Sequence, residues 1–99
     1  MKFTQHVVIW TDQPDALTEL FNAWNNDDAA AAPGYLGGRL LAFREKPGRY
    51  VIQADFDSWE SAQSNSDRPE TQAWAAKMSE IITEEPKYEN LDVLGTFTA

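Results

Sequence analysis

The sequence contains one imidazole, His6, and two further side chains that suit chemistry at a substrate oxygen, Asn65 and Arg39. Imidazole is the side-chain base that works near neutral pH, so His6 can abstract a proton from a phenol. Asn65 can donate a hydrogen bond to a substrate oxygen, and Arg39 is the best anion holder in this acidic chain. Each also has a structural interpretation. His6 can be a hydrogen-bonded histidine at an interface, and Asn65 can serve local hydrogen bonding at a helix break. Arg39 can form an interface ion pair with Asp55 or Asp92.

Several aromatic residues are candidates for the wall of a binding site. Trp59 can stack on an aromatic ligand, or it can anchor the start of a helix against a sheet. Tyr35, Tyr50 and Trp24 are further wall candidates that also suit a core. Trp74 shares helical spacing with the apolar residues that follow it, so core packing is its favoured interpretation.

Other kinds of site have no support in the sequence. One histidine, no cysteine and acidic pairs without ligand-like spacing give no metal site. There is no nucleophile elbow for Ser-His-Asp catalysis, and "GYLGGR" enters a strand rather than a helix, which excludes a phosphate-binding loop. We therefore expect neither a metal nor a nucleotide cofactor.

Length and charge narrow the class of protein. The chain has 99 residues, of which 42% are apolar, and this size suits one domain over residues 1–99. Its net charge is -8, with 16 acidic and 8 basic residues, so nucleic acid and anionic membranes are poor partners. The apolar run in "MKFTQHVVIW" is too short for a signal peptide or a membrane span, so we expect a cytoplasmic protein.

The elements that must position these residues are visible in the hydrophobic periodicity. Asp12 and Pro14 predict the start of a helix that ends between Asn25 and Ala32. The patterns D-x-x-E at Asp57 and Asp67 predict two helix starts with a break near residues 65–66. Trp74, Met78, Ile81 and Ile82 form the apolar stripe of the longer helix, and strands are predicted over 3–10, 35–45, 49–56 and 87–97.

The order β-α-β-β-α-β predicts a ferredoxin-like α+β subunit, with both helices on one face of an antiparallel sheet. Alternation along the strands leaves Val8, Trp10, Leu41 and Phe43 on the other face. Such an apolar patch is larger than soluble monomers usually expose. We therefore expect a homodimer in which two sheets pack face to face around a two-fold axis.

The strand order, "PGYLGGRLL" entering the second strand and "FDSWESAQSNSDRPETQAW" after the third, resemble the dimeric α/β barrel proteins of the antibiotic biosynthesis monooxygenase type. The resemblance covers essentially the whole chain. It implies a cleft between sheet and helices in each subunit. It also implies activities that differ between branches, among them cofactor-independent oxidation of polyphenolic aromatics and degradation of haem.

The haem-degrading branch fits this sequence poorly. The branch shares "WES" at residues 59–61, but its iron-binding histidine would fall near Ala73 and its strand asparagine near Val7. The resemblance to the cofactor-independent branch therefore leads to our functional expectation. We expect a monooxygenase for a small aromatic compound. In this expectation His6 deprotonates or orients the phenol, Asn65 and Arg39 stabilise the oxyanion, and Trp59 stacks on the ring. The alternative is a non-catalytic dimer of the same fold that binds a small molecule or serves as a scaffold.

Overall fold

The computed structural model describes residues 1–27 and 31–99, and its elements follow the predicted order. They are β1 (Phe3–Trp10), α1 (Pro14–Asp27), β2 (Tyr35–Ala42), β3 (Arg49–Phe56), α2 (Trp59–Ser66), α3 (Pro69–Ser79) and β4 (Lys87–Asp92). The bounds of β1 and β3 match the prediction, whereas β2 and β4 end earlier than predicted. The predicted end of the first helix overlaps residues 28–30, which lie outside the described residues.

The four strands form one antiparallel sheet in the order β2-β3-β1-β4. The two central strands, β1 and β3, pair with Val7 opposite Ile52 and Val8 opposite Val51. All three helices lie in the connections β1-α1-β2 and β3-α2-α3-β4, which is the split βαβ plan. The ferredoxin-like α+β prediction is confirmed, and the sheet of the single chain is not closed.

The main core lies between the sheet and the helices. Its buried members are Val7 and Ile9 of β1, Ile52 of β3, Leu17 of α1 and Met78 of α3. Because strand side chains alternate between faces, these strand residues point toward the helices while their neighbours point away. Ile81 and Ile82 pack against the same core although α3 ends at Ser79, so the predicted helical stripe continues into the following turn.

The structure corrects the predicted helix starts. Ser58, not Asp57, is the N-cap of α2, and its hydroxyl accepts a hydrogen bond from the backbone N–H of Ser61 at 3.1 Å. Asp67 is the C-cap of α2, and α3 begins at Pro69 without a side-chain cap. The N-cap of α3 is Arg68, so the D-x-x-E patterns at Asp57 and Asp67 each begin one residue before the true N-cap.

The start of α1 also differs from the prediction. The hydroxyl of Thr11, rather than the carboxylate of Asp12, accepts a hydrogen bond from the backbone N–H of Gln13 at 3.0 Å. The same hydroxyl donates to the carbonyl of Ile81 at 2.5 Å, and the N–H of Thr83 donates to Trp10 O at 2.8 Å. The segment after α3 is thus tied to the end of β1.

The face of the sheet that carries no helix is here called the open face. It contains the predicted residues Val8, Trp10, Leu41 and Phe43. Val8 is only 3% exposed, and the guanidinium of Arg49 lies 5.5 Å from the ring centroid of Trp10 and 4.4 Å from that of Phe43. The open face is therefore less exposed in a single chain than alternation alone predicts.

The cap of α2 gives a first prediction. Ser58→Ala removes the acceptor for the Ser61 N–H and should lower the free energy of unfolding by about 1 kcal/mol. Ser64→Ala, at an exposed position within the same helix, is the matched control and should change it little. Equal effects of the two substitutions in urea denaturation would show that Ser58 is not the cap.

Candidate functional site

A cavity of about 310 Å³ lies between the sheet and the helices, within the size range of small-molecule sites. Elements on both sides contribute to it, because β1, β3 and β4 form its floor and the three helices form its walls. The aromatic residues that line it are Phe21, Trp24, Phe56, Trp74 and Tyr88. Such a lining suits a flat, apolar ligand.

Contacts behind the lining hold the aromatic walls in place. The ring of Trp24 stacks on that of Phe21, with centroids 6.4 Å apart, and meets Tyr35 edge to face at 5.0 Å. The indole N–H of Trp74 donates to Leu20 O at 3.2 Å, which fixes this ring between α1 and α3. Trp74 was predicted as core, and it is both a core contact and a wall of the cavity.

The polar side chains of the cavity are few. They are Gln5, Asn65, Ser66, Thr71 and Gln72, together with the phenol of Tyr88. Asn65 is 8% exposed, and its Oδ1 accepts hydrogen bonds from Thr71 Oγ1 at 3.1 Å and Arg68 Nη1 at 3.3 Å. A buried amide at an apolar cavity is the polar group best placed to orient a ligand.

His6 and Arg39 lie on the open face and not at the cavity. Arg39 donates from Nε and Nη2 to Gln53 Oε1, at 3.0 and 2.7 Å, and Gln53 Nε2 lies 3.1 Å from His6 Nε2. Because a guanidinium only donates, the Gln53 atom facing Arg39 is the oxygen, and its amide therefore donates to His6. The neutral imidazole then carries its proton on Nδ1.

The predicted site residues thus fall into four places. Asn65 and Trp24 line the cavity, Tyr35 packs behind Trp24, and Trp59 packs edge to face on Phe3 at 5.1 Å outside the lining. Within one chain His6 and Arg39 do not meet Asn65, since they project from the opposite face of the sheet. Within one chain and among the described residues, Arg39 forms no ion pair with Asp55 or Asp92, and the alternative of such a pair across an interface stays a prediction.

Gln5, Tyr88 and Thr71 are among the lining residues that were not predicted from the sequence. Gln5 and Tyr88 occupy strand positions that face the helices, and Gln5 Nε2 donates to Asn90 Oδ1 at 3.1 Å. Alternation along β1 and β4 could have indicated this face. Thr71 carries no such signal, because its role depends on how α3 turns back on α2.

Among residues 1–27 and 31–99, no group of three or more histidine, cysteine or acidic side chains is arranged to hold a metal ion. No helix in the described part of the chain combines the length and apolar character needed to cross a bilayer.

The arrangement of strands and helices is similar to that of solved antibiotic biosynthesis monooxygenase-type proteins. SnoaB, a cofactor-independent oxygenase from Streptomyces nogalater, matches with a TM-score of 0.84 and 17% identity over 99% of this chain and 98% of its own. Rv0793 from Mycobacterium tuberculosis matches with a TM-score of 0.80 and 18% identity, over 99% of this chain and 100% of its own. A protein from Caulobacter crescentus that is described as a putative antibiotic biosynthesis monooxygenase matches with a TM-score of 0.83 and 17% identity. This match covers 95% of this chain and 91% of the other.

No family model and no curated protein sequence matches the chain. The likeness to solved structures is therefore one of fold. It confirms the expected resemblance at the level of backbone architecture, while identities of 17–18% leave the chemistry to be argued from the site itself.

Two phenols give a prediction of pH dependence. Burial raises the pKa of Tyr88 above its ordinary value of 10.0, and burial together with the Asp55 carboxylate raises that of Tyr35. The folded state thus favours the neutral phenols, and this stabilisation is fully present below pH 10.0 and lost as the pH rises through the raised pKa values.

Denaturant unfolding across this alkaline range measures the effect. The free energy of unfolding should fall above pH 10.0, and the double variant Tyr35→Phe with Tyr88→Phe should lose part of that fall. An identical pH profile for the double variant and the wild type would contradict the assignment.

Proposed function

We propose that the protein binds a small aromatic compound in the cavity between sheet and helices and oxidises it with O₂, without a cofactor. One observation carries the proposal: five aromatic side chains line a cavity of about 310 Å³ that contains one nearly buried amide, Asn65. The rings supply stacking surface, and the amide supplies a fixed polar contact.

In this proposal the substrate itself supplies the electrons. An anthrone-like substrate loses a proton to solvent water, and its anion transfers one electron to O₂. The two radicals then join through a new C–O bond as a peroxide anion, which takes up a proton from water. Loss of water from this peroxide leaves a carbonyl, so one oxygen atom enters the product and the other leaves as water. No external reductant is needed, and the protein's part is to bind, orient and stabilise the anion.

Asn65 is the residue to which we assign oxyanion stabilisation, with Trp24 and Trp74 holding the ring system. His6 and Arg39 are proposed to act at the interface between two copies. Their chain of hydrogen bonds through Gln53 belongs to the open face, away from the cavity of the same chain. Tyr35 supports Trp24 from behind, and Trp59 anchors α2 against Phe3.

We also propose that two copies pack through their open faces. Two polar atoms on this face, Thr4 Oγ1 and Arg49 Nε, are buried without a hydrogen-bond partner among the described residues. Buried polar groups are normally paired, so partners from a second sheet would satisfy them. The half-buried Leu41 and Val51 would be covered by the same contact.

Sedimentation tests the dimer. Val51→Lys puts a charge at the centre of the open face and should convert a dimer to a monomer, because an unpaired charge at a buried contact is strongly disfavoured. Ala76→Lys, at an exposed position on α3, is the control and should leave the dimer intact. A wild-type protein that is monomeric at micromolar concentration would refute this proposal.

A binding protein without chemistry is the second candidate. Among the described lining residues, Tyr88 is the only titratable side chain, and burial raises the pKa of its phenol. The cavity therefore contains no side-chain base that works near neutral pH. A substrate that does not ionise readily would be bound there and left unchanged.

Oxygen consumption with anthrone and with hydroquinones distinguishes the two candidates. The enzyme should consume O₂ without added cofactor, and Asn65→Ala should lower kcat by about 100-fold if Asn65 stabilises the oxyanion. Asn26→Ala, at an exposed position of α1, is the matched control. Binding of these compounds without O₂ uptake above background would leave the binding protein as the function.

A further inference from the structure

The orientation of the Asn65 side chain is fixed from outside the cavity. Arg68 Nη1 donates to Asn65 Oδ1 at 3.3 Å, and Thr71 Oγ1 donates to the same oxygen at 3.1 Å. An arginine has no acceptor, so the Asn65 atom that faces it must be the oxygen and not the nitrogen. The contact with Arg68 therefore distinguishes Oδ1 from Nδ2 in the Asn65 amide.

The other end of the amide is left as a donor. Asn65 Nδ2 has two N–H groups, and no described residue accepts a hydrogen bond from it. Asn65 is 8% exposed and lines the cavity. Among the described residues, Nδ2 is not one of the buried atoms without a partner, so it is accessible, and a ligand in the cavity can supply the acceptor that the protein does not.

We propose that Thr71 and Arg68 are positioning residues that hold Asn65 as a hydrogen-bond donor toward the cavity, so that the site selects aromatic ligands with an acceptor oxygen, such as a carbonyl or a phenolate. This inference rests on the proposed function, because it assumes that the cavity binds an aromatic ligand. It adds which atom of the ligand is recognised and which residues impose that choice.

Two probes that differ only at the recognised atom test the selection. 1-Tetralone carries a carbonyl oxygen, and tetralin is the same bicyclic skeleton without it. Titration calorimetry, with fluorescence of the cavity residues Trp24 and Trp74 as a second readout, gives both affinities. The wild type should bind tetralone about tenfold more tightly, which is the order expected for one hydrogen bond to an otherwise unpaired donor.

Variants then separate positioning from packing. Asn65→Ala should abolish the preference for tetralone. Thr71→Val keeps the shape of the side chain but removes the donor to Oδ1, so the preference should fall to about threefold or less while tetralin binds as before. Thr71→Ser restores a hydroxyl and should restore the preference. A loss of tetralin binding together with tetralone binding would indicate a purely structural role for Thr71.

The outcomes distinguish this inference from the function on which it rests. If the wild type binds neither probe, the cavity is not an aromatic site and the proposed function fails with the inference. Equal binding of the two probes leaves the site standing and overturns the selection by Asn65. Selection that Asn65→Ala removes but Thr71→Val leaves intact shows that Thr71 does not position the amide. Thermal unfolding of each variant confirms that the comparison is made on folded protein.

Discussion

Alternation of side chains along β1 is the constraint on which the rest of the structure depends. Val7 and Ile9 point toward the helices, are 5% and 0% exposed and belong to the core, and Val7 also lines the floor of the cavity. The neighbouring residues His6 and Val8 therefore point to the open face. Because β3 pairs with β1, the side chains of β3 alternate between the same two faces. The pairing register therefore places the cavity and the hydrogen bond between His6 and Gln53 on opposite faces of the sheet.

The break between α2 and α3 places Thr71 against Asn65. Pro69 cannot continue the hydrogen bonding of a preceding helix, and it instead begins α3. The chain turns there, and Thr71 is brought back against Asn65 although six residues separate them. A continuous helix would place residues six apart on different faces, so the contact depends on the break.

The sequence was sufficient for the fold but only partly for the site. Periodicity identified every strand, the helix starts to within two residues, and the break, because those features are local. Periodicity also placed His6 on the open face. It did not show that the cavity lies on the other face of the sheet, out of reach of His6. Trp74 illustrates the remaining limit, since helical spacing identifies a buried face but cannot tell a packed core from the wall of a cavity. Thr71 depends on a tertiary contact that no spacing encodes.

The lack of a base at the described cavity wall restricts the chemistry that this site can perform. Without a proton acceptor from the protein, a bound compound becomes reactive only if it ionises on its own. A fixed donor at its oxygen stabilises the anion more than the neutral form, and so lowers the pKa of the bound ligand. In the proposed function, binding and activation would both depend on one hydrogen bond from Asn65. The same preorganised amide that selects an acceptor oxygen would promote the electron transfer to O₂, because both depend on negative charge at that atom.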